Sequence, residues 1–304
     1  MSDLGSPYKG NLETSSAHEL EENLLYQESS ELPFAASDQD ILTTREACDL
    51  IEPVRDKKIH ELAVFDFDGT CINGNSPVLL VRRLIRKRQL KLSVILRIFI
   101  WATAYKLRLP QNEFWIRGLV FRAFKGKEKA QVDDFLESFY NEVISNRFRP
   151  VINEIMKRHK ELGRRVLVVS ASFDPLIAKA QARNEIDIQI STHMQIDANG
   201  CYLDKVQGIP VEGKEKVRAI KRYANKEFGE GAWCVAYAYG DHHSDIPMLN
   251  LARHPYPVTP DRPLMRHAKR KHWSVIEISH KEASEVQPIE EIDISPIPQI
   301  SIIR

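Results

Sequence analysis

Short apolar runs alternate with longer amphipathic stretches through the central part of the chain. The runs are rich in β-branched and aromatic residues and end at Gly, Ser, Asp or Asn, which is typical of buried strands. They cover residues 61–66, 165–170, 187–191, 233–239 and 273–278. Strands that alternate with helices form parallel sheets with helices on both faces. The pattern therefore predicts an α/β fold with a Rossmann-like parallel sheet.

The stretch between the first two strand candidates, residues 73–160, is too long for a loop and has a helical pattern throughout. We therefore expect a helical domain inserted into a sheet domain that comprises residues 59–72 and 161–280.

Both ends of the chain lack a sustained apolar period. Residues 1–58 contain 13 acidic and 5 basic residues, a composition that predicts a mostly disordered acidic arm. The tail, residues 281–304, is rich in proline and is predicted to be poorly ordered, although its isoleucines leave room for an edge strand.

Composition narrows the class of protein. A chain of 304 residues, 43% of them hydrophobic, can bury one large core plus an insertion. The net charge of +1 gives no argument for a nucleic-acid partner. The cysteines are too scattered for a disulfide framework or a zinc site, and the N-terminus lacks the pattern of a secretion signal. We expect a cytoplasmic protein; nothing in the sequence predicts its oligomeric state.

The first chemical motif is FDFDGT, residues 65–70, at the end of the first strand candidate. Residues two apart in an extended chain point the same way, so Asp66 and Asp68 converge. Two such carboxylates suit a nucleophile and its acid/base partner. The alternative is an ordinary Asp-Gly turn that ends a strand.

The second motif is VLVVSAS, residues 166–172, in which an apolar strand ends in hydroxyl residues. The Ser170 hydroxyl and the following backbone N–H groups, beginning with Ala171, can bind phosphate oxygens. The same residues also fit a strand, a turn and a helix start.

The third motif is GKEKVRAI, residues 213–220, which opens a helix with lysines. Either Lys214 or Lys216 could direct its ammonium at a phosphate oxygen. The alternative is a solvated basic helix face, which is the usual environment of a lysine.

The fourth motif is YGDHHSD, residues 239–245, which follows another apolar strand. Asp241 and Asp245, with the carboxylates of the first motif, could share a Mg²⁺ ion, which takes oxygen ligands. The alternative is a helix N-terminus with acidic residues in its first turn.

The four motifs in this order resemble those of the haloacid dehalogenase superfamily, and in particular its subfamily IB of phosphoserine phosphatase-like and phosphatidylglycerophosphatase-like enzymes. In that subfamily the lysine is followed by a K-x-x-x-L pattern, which Lys216 with Ile220 fits better than Lys214 does. The resemblance implies that Asp66 is the nucleophile, Asp68 the general acid/base, Ser170, Ala171 and Lys216 the phosphate binders, and Asp66, Asp68 and Asp241 the metal ligands.

By the same resemblance, Asp245 would orient Lys216 or a metal-bound water; a plain helix cap is the alternative. The family's fold places a helical C1 cap at residues 73–160, and its chemistry is Mg²⁺-dependent phosphomonoester hydrolysis through an aspartyl-phosphate. His242 and His243 depart from the family, which more often has a small residue after the aspartate; we interpret them as a solvated pair.

The cap candidate has an unusual charge distribution, since residues 71–112 contain nine basic residues and no acidic one. Within this region, the apolar segment 92–105 is too short, and Arg97 too central, for a membrane span. A basic amphipathic stretch of this kind suits an anionic membrane surface. The alternative is a cap helix buried against its neighbours with its basic ends in water.

The substrate hypothesis follows from these features. Phosphoserine phosphatases usually carry a glutamate shortly after the first motif, and this chain has Asn75 near that position. Our leading hypothesis is a phosphatase for a phospholipid head group such as phosphatidylglycerophosphate, in peripheral contact with the inner face of an anionic membrane. The alternatives are a phosphatase for a small soluble monoester, such as phosphoserine, and a non-catalytic scaffold on the same fold.

Overall fold

The computed structural model describes residues 59–88, 118, 121–278 and 302–303. In chain order, the main elements are β1 His60–Phe65, α1 Ser76–Arg86, α2 Lys129–Phe139, α3 Pro150–Glu161, β2 Arg165–Phe173, α4 Asp174–Gln181, β3 Ile188–Thr192, β4 Met194–Ile196, β5 Tyr202–Val206, α5 Lys214–Phe228, β6 Trp233–Gly240, α6 Ile246–Leu251, β7 His254–Pro257, α7 Arg262–Lys271, β8 Val275–Ile276 and β9 Ile302–Ile303.

Five of these strands form one sheet in the order β3-β2-β1-β6-β7. All neighbouring pairs in the sheet are parallel. The carboxyl ends of the strands therefore lie at one edge, where the strand order reverses next to β1. The predicted α/β fold with a parallel sheet is confirmed.

The two faces of the sheet are covered because the central strands are apolar on both sides. Along β1, Leu62 and Val64 belong to one buried cluster, and Ala63 and Phe65 belong to the other. The first cluster includes the apolar faces of α5, α6 and α7, and the second includes those of α1 to α4. A strand with this alternation must lie between two layers of helices.

The fifth strand of the sheet differs from the one predicted. Residues 273–278 do not join the parallel sheet through a strand; Val275–Ile276 pairs antiparallel with Ile302–Ile303 instead. The sheet ends with β7, whose sequence is HPYP. Proline has no N–H for the ladder, so this segment is tolerated only at an edge, and its sequence does not have the pattern of a strand.

The described part of the segment between β1 and β2 is helical. It contains α1, α2, a π-helical turn at Tyr140–Ile144, a 3₁₀ turn at Ser145–Arg147 and α3. The last of these helices, α3, contacts β2 and contributes Ile152 and Ile155 to the same buried cluster as Ala63 and Phe65 of β1.

Several predicted features lie outside the described residues: the acidic arm 1–58, the apolar segment 92–105 and most of the tail 281–304. Within the part of the chain that the structure describes, no helix is both long and apolar enough to span a bilayer.

Candidate active site

Three carboxylates meet where β1 and β6 end. Asp66 directly follows β1, and its backbone N–H donates to the Tyr239 carbonyl of β6 at 2.9 Å. Asp241 and Asp245 come one and five residues after the end of β6. Oxygen atoms of Asp66, Asp241 and Asp245 all lie within 4.8 Å of one another. The parallel pairing of β1 and β6 thus converts two distant motifs into one cluster.

Lys216 enters this cluster from the first turn of α5. Its Nζ donates to Asp66 Oδ1 and, at 2.7 Å, to Asp245 Oδ1. Burial lowers the pKa of Lys216, but Asp245 and Asp66 outweigh it, and the pKa lies above its ordinary value. The ammonium therefore stays charged at the base of the site.

Lys214, the other lysine of the third motif, is the first residue of α5, whereas the hydrogen bonds to Asp66 and Asp245 come from Lys216. Asp245 has a second contact besides Lys216, since its other oxygen, Oδ2, accepts the His242 backbone N–H at 3.3 Å. It therefore completes the capping box of the 3₁₀ turn His243–Asp245 and holds Lys216 at the same time.

Asp68 is held separately from the other carboxylates. Its Oδ1 accepts the Ser76 backbone N–H at 2.5 Å, and its Oδ2 accepts the Ser172 hydroxyl. The Ser76 and Ser172 hydroxyls also contact each other at 2.9 Å. Burial raises the pKa of Asp68, while the donors Ser172 and Ser76 act against it. A carboxyl group with this balance is suited to carrying a proton.

The contacts of Asp68 bear on its predicted role as a metal ligand. The oxygens that lie within metal-binding distance of each other belong to Asp66, Asp241 and Asp245, and Asp68 is not in that group. Its carboxylate faces two serine donors, an arrangement that favours proton transfer, and its role as a metal ligand stays a prediction.

Burial of like charges shifts the titration of the cluster. Burial raises the pKa of Asp66 to about 8; the Lys216 ammonium opposes this rise, and the nearby Asp245 carboxylate adds to it. For Asp241, burial together with Asp66 and Asp245 raises the pKa to about 9. One ammonium thus faces three carboxyl groups, and this is too little positive charge for all three to be ionised at neutral pH.

This donor set fits Mg²⁺, which prefers carboxylate oxygens and compensates the missing positive charge. A second observation supports the fit. Gly69 has a φ of 80°, and a Cβ at this position would lie 1.9 Å from Asp241 Oδ2. The absence of a side chain at residue 69 therefore leaves room for the Asp241 carboxylate.

Ser170 and Ala171 lie at the end of β2, beside β1, at the same edge of the sheet. Ser170 is 1% exposed, and its Oγ accepts the Ser172 backbone N–H at 3.0 Å. Ala171 is partly exposed. The structure therefore brings all six motif side chains and Ala171 to the strand ends, but with Asp68 turned towards the serines.

Ser76 and Ser172 were not predicted from the sequence as partners of Asp68. The signal for Ser172 was present, because it lies two residues after Ser170 and near the end of the same strand. Ser76 carries no such signal, since it begins α1 and reaches Asp68 only through the turn that follows the first motif.

His242 and His243 lie beside the cluster and face Asp261. His243 Nδ1 is 2.8 Å from Asp261 Oδ2, and His242 Nε2 is 3.5 Å from the same atom. The His242 Nδ1 contacts the Ser244 hydroxyl at 2.9 Å. The histidines thus have protein partners, which the interpretation as a solvated pair did not include.

Comparison with known protein families gives a match that includes the residues of this site. The family model of haloacid dehalogenase-like hydrolases matches residues 63–250. This range begins within β1 and ends within α6, and it includes all four motifs.

Two curated relatives carry names of phosphatases. A histidinol-phosphatase from Neisseria meningitidis serogroup C is 26% identical over 230 residues, which cover 71% of this chain and 97% of the relative. A phosphoserine phosphatase from Mycobacterium tuberculosis is 24% identical over 217 residues, which cover 70% of this chain and 69% of the relative.

A solved structure has the same fold. It is a protein of unknown function from Bordetella pertussis Tohama I, with a TM-score of 0.64 and 19% identity, and the match covers 72% of this chain and 98% of that one.

Proposed function

This chain belongs to the haloacid dehalogenase-like hydrolases and is a phosphoric monoester hydrolase, and from this premise we propose that it uses Mg²⁺ and forms an aspartyl-phosphate on Asp66. The observation that carries the proposal is the position of Asp66. It lies at the end of the central strand, bonded to Lys216 and within 4.8 Å of the oxygens of Asp241 and Asp245.

Asp66 and Asp241 would hold the metal ion. Bound Mg²⁺ would neutralise charge on the phosphate and lower the pKa of the surrounding carboxyl groups. Since burial raises the pKa of Asp66 to about 8, its carboxyl group needs a nearby positive charge to be an effective nucleophile at neutral pH.

In the first step, a carboxylate oxygen of Asp66 attacks phosphorus in line with the leaving oxygen. The new O–P bond forms as the bond to the leaving oxygen breaks, and Asp68 gives its proton to that oxygen. In the second step, Asp68 takes a proton from water, the water oxygen attacks phosphorus, and the bond to Asp66 breaks. Inorganic phosphate leaves, and both aspartates return to their starting states.

The remaining groups hold the phosphate during both steps. Lys216 donates to an equatorial oxygen, and Ser170 with the Ala171 backbone N–H donates to another. Asp245 keeps the Lys216 ammonium in place, because it accepts a 2.7 Å bond from it. Donors fixed before the reaction need no rearrangement in the transition state, and this is why they accelerate it.

For the substrate, we propose a phospholipid head group or another amphiphilic monoester. The position near which phosphoserine phosphatases carry a glutamate is Asn75, and its side chain accepts the Val78 backbone N–H at 3.2 Å as the N-cap of α1. It therefore supports a helix and offers no charge to a substrate amine. A small soluble monoester is the second candidate, and the names of the two relatives favour it.

The test is phosphate release with and without Mg²⁺ from phosphatidylglycerophosphate in mixed micelles, lysophosphatidate, phosphoserine, histidinol phosphate and sugar phosphates. Asp66→Asn should abolish release, and the matched control Asp134→Asn, at an exposed position of α2, should retain it. Release confined to the lipids supports the lipid substrate. Preference for a soluble monoester would replace it with the second candidate, and turnover by Asp66→Asn would refute the nucleophile.

A further inference from the structure

A cavity of about 540 Å³ lies beside the site, between α1, the segment 142–151 and Ile278. Its charge is strongly one-sided, since one acidic residue, Glu142, faces five arginines. We call it the arginine cavity, and its arginines are Arg82, Arg83, Arg86, Arg147 and Arg149.

Glu142 does not neutralise this cavity. Its two oxygens are bound by the Arg83 guanidinium at 2.6 and 2.7 Å, so one arginine accounts for the acidic charge. Among the described residues, no acidic side chain forms an ion pair with the other four arginines. The buried Nε atoms of Arg83 and Arg149 have no hydrogen-bond partner among the residues that the structure describes.

The rest of the lining is mostly apolar, with the two polar residues Asn73 and Asn146 beside Leu79, Val143, Phe148, Pro150, Val151 and Ile278. A volume of this size lies within the range of small-molecule sites, which is roughly 300–1,000 Å³. Guanidinium groups bind phosphate oxygens through parallel N–H donors. A lining of both kinds suits a phosphate group attached to an apolar body.

The cavity shares a wall with the catalytic loop. The Asn73 backbone N–H donates to the Arg147 carbonyl at 2.8 Å, and the Arg149 N–H donates to the Cys71 carbonyl at 2.8 Å. Arg149 Nη2 also donates to the Gly69 carbonyl at 3.2 Å. Two of the five arginines, Arg147 and Arg149, are therefore attached to the turn that follows Asp68.

We propose that the arginine cavity binds a phosphate group other than the one that is cleaved. This phosphate belongs to the substrate itself or to a lipid beside it. The inference rests on the proposed function, because the position of the cavity matters for substrate binding only if the neighbouring site hydrolyses a phosphomonoester. It deepens that function by naming the substrate class, a monoester with a second phosphate and an apolar part.

The test measures binding on protein that carries Asp66→Asn, so that hydrolysis does not interfere. The soluble probe is glycerophosphoglycerol, a phosphodiester without acyl chains, followed by calorimetry. The lipid probe is flotation with vesicles of phosphatidylglycerol in phosphatidylcholine, compared with vesicles of phosphatidylcholine alone.

The cavity variant is Arg82→Gln with Arg86→Gln, two exposed positions one helical turn apart on α1. The matched control is Arg266→Gln with Arg270→Gln, which has the same spacing and charge change on the exposed face of α7, outside the cavity. The midpoint of thermal unfolding verifies that both variants fold.

The cavity variant should lose affinity for the probe by at least about tenfold, because it loses charge-assisted hydrogen bonds, and the control should not. Loss with both probes assigns the cavity to the phosphate group as such, and loss with vesicles alone assigns it to a lipid surface. No binding of either probe, or equal losses in the two variants, would overturn the inference.

Turnover of p-nitrophenyl phosphate by protein with Asp66 intact reports on the proposed function separately. If turnover is absent while the arginines still bind the probe, the catalytic proposal fails and the cavity stands. If turnover is present and the cavity variant binds the probe as well as the control does, the catalytic proposal stands and the cavity proposal fails.

Discussion

At the residue scale, the arrangement of Asp68 depends on a hydroxyl that the family motif does not include. Ser172 donates to one oxygen of Asp68, while the Ser76 backbone N–H donates to the other. We predict that Ser172→Ala lowers kcat by about tenfold with little change in KM, because a proton-transfer group that is less well oriented loses part of its contribution. Steady-state kinetics measures this.

Ser170→Ala is the comparison for that variant. Ser170 is predicted to bind phosphate, so its loss should raise KM as well as lower kcat. If Ser172→Ala has the kcat of the wild type, the hydroxyl does not orient Asp68.

Gly69 provides a second prediction, because the space beside it is used by Asp241. In Gly69→Ala, the new methyl group would lie 1.9 Å from Asp241 Oδ2, so the carboxylate must move. We expect the Kd for Mg²⁺ to rise by more than about tenfold, as is typical when a ligand loses its orientation. Calorimetric titration with Mg²⁺ measures the change.

The control is Gly126→Ala. Gly126 has a φ of 74°, close to the 80° of Gly69, but a Cβ there meets no atom within 4 Å. Both variants carry the backbone strain of a side chain at positive φ, which costs of order 1 kcal/mol, and only Gly69→Ala displaces Asp241. Equal Mg²⁺ affinity in the two variants would contradict the prediction.

At the scale of the elements, the sequence predicted the strands that carry the motifs. The runs at β1, β2 and β6 are continuous and apolar, because a central parallel strand is buried on both faces. The edge strand β7 was missed for the opposite reason, since its HPYP sequence lacks the N–H groups and the apolar run of a central strand.

The partners of Asp68 were harder to predict than the strands. Motif spacing places side chains at the ends of strands, but it does not say which donor each oxygen accepts from. The contact of Ser76 with Asp68 requires the path of the turn between β1 and α1, which tertiary packing determines and the apolar pattern does not encode.

The contact between α3 and β6 provides a prediction about pH. His159 of α3 is buried, and its Nε2 lies 2.9 Å from the Tyr239 hydroxyl. Burial, with Arg164 acting in the same direction, lowers the pKa of His159 from 6.5 to about 3. Below about pH 6.5 the unfolded chain therefore binds a proton that the folded chain does not bind.

His159 thus contributes stability that is fully present above about pH 6.5 and is lost as the pH falls towards 3, by about 1.4 kcal/mol per pH unit. In His159→Gln this part of the slope should disappear. Urea unfolding of both proteins between pH 6.5 and 4 measures the difference, in which the titration of the carboxylates cancels. Parallel slopes would show that His159 is protonated in the folded protein.

At the scale of the whole molecule, the active site lowers the stability of the fold that carries it. The carboxylates of Asp66, Asp241 and Asp245 are brought together at the end of the central strands, with one ammonium between them. Buried like charges destabilise the folded state, and a ligand that binds only this state restores stability by mass action.

We therefore predict that Mg²⁺ raises the midpoint of thermal unfolding of the wild type, with a stabilisation of about 2.7 kcal/mol at a concentration of 100 times Kd. Asp241→Asn should lose this response, because it removes a metal ligand.

A second effect is expected without Mg²⁺. Above pH 9 the Asp241 carboxyl group of the wild type, with its pKa of about 9, is ionised. Asp241→Asn lacks this repulsive charge and should therefore unfold at the same or a higher temperature than the wild type. Differential scanning calorimetry with Asp134→Asn as the control measures both effects. An equal Mg²⁺ response in Asp241→Asn and the wild type would place the stabilising ion elsewhere on the molecule.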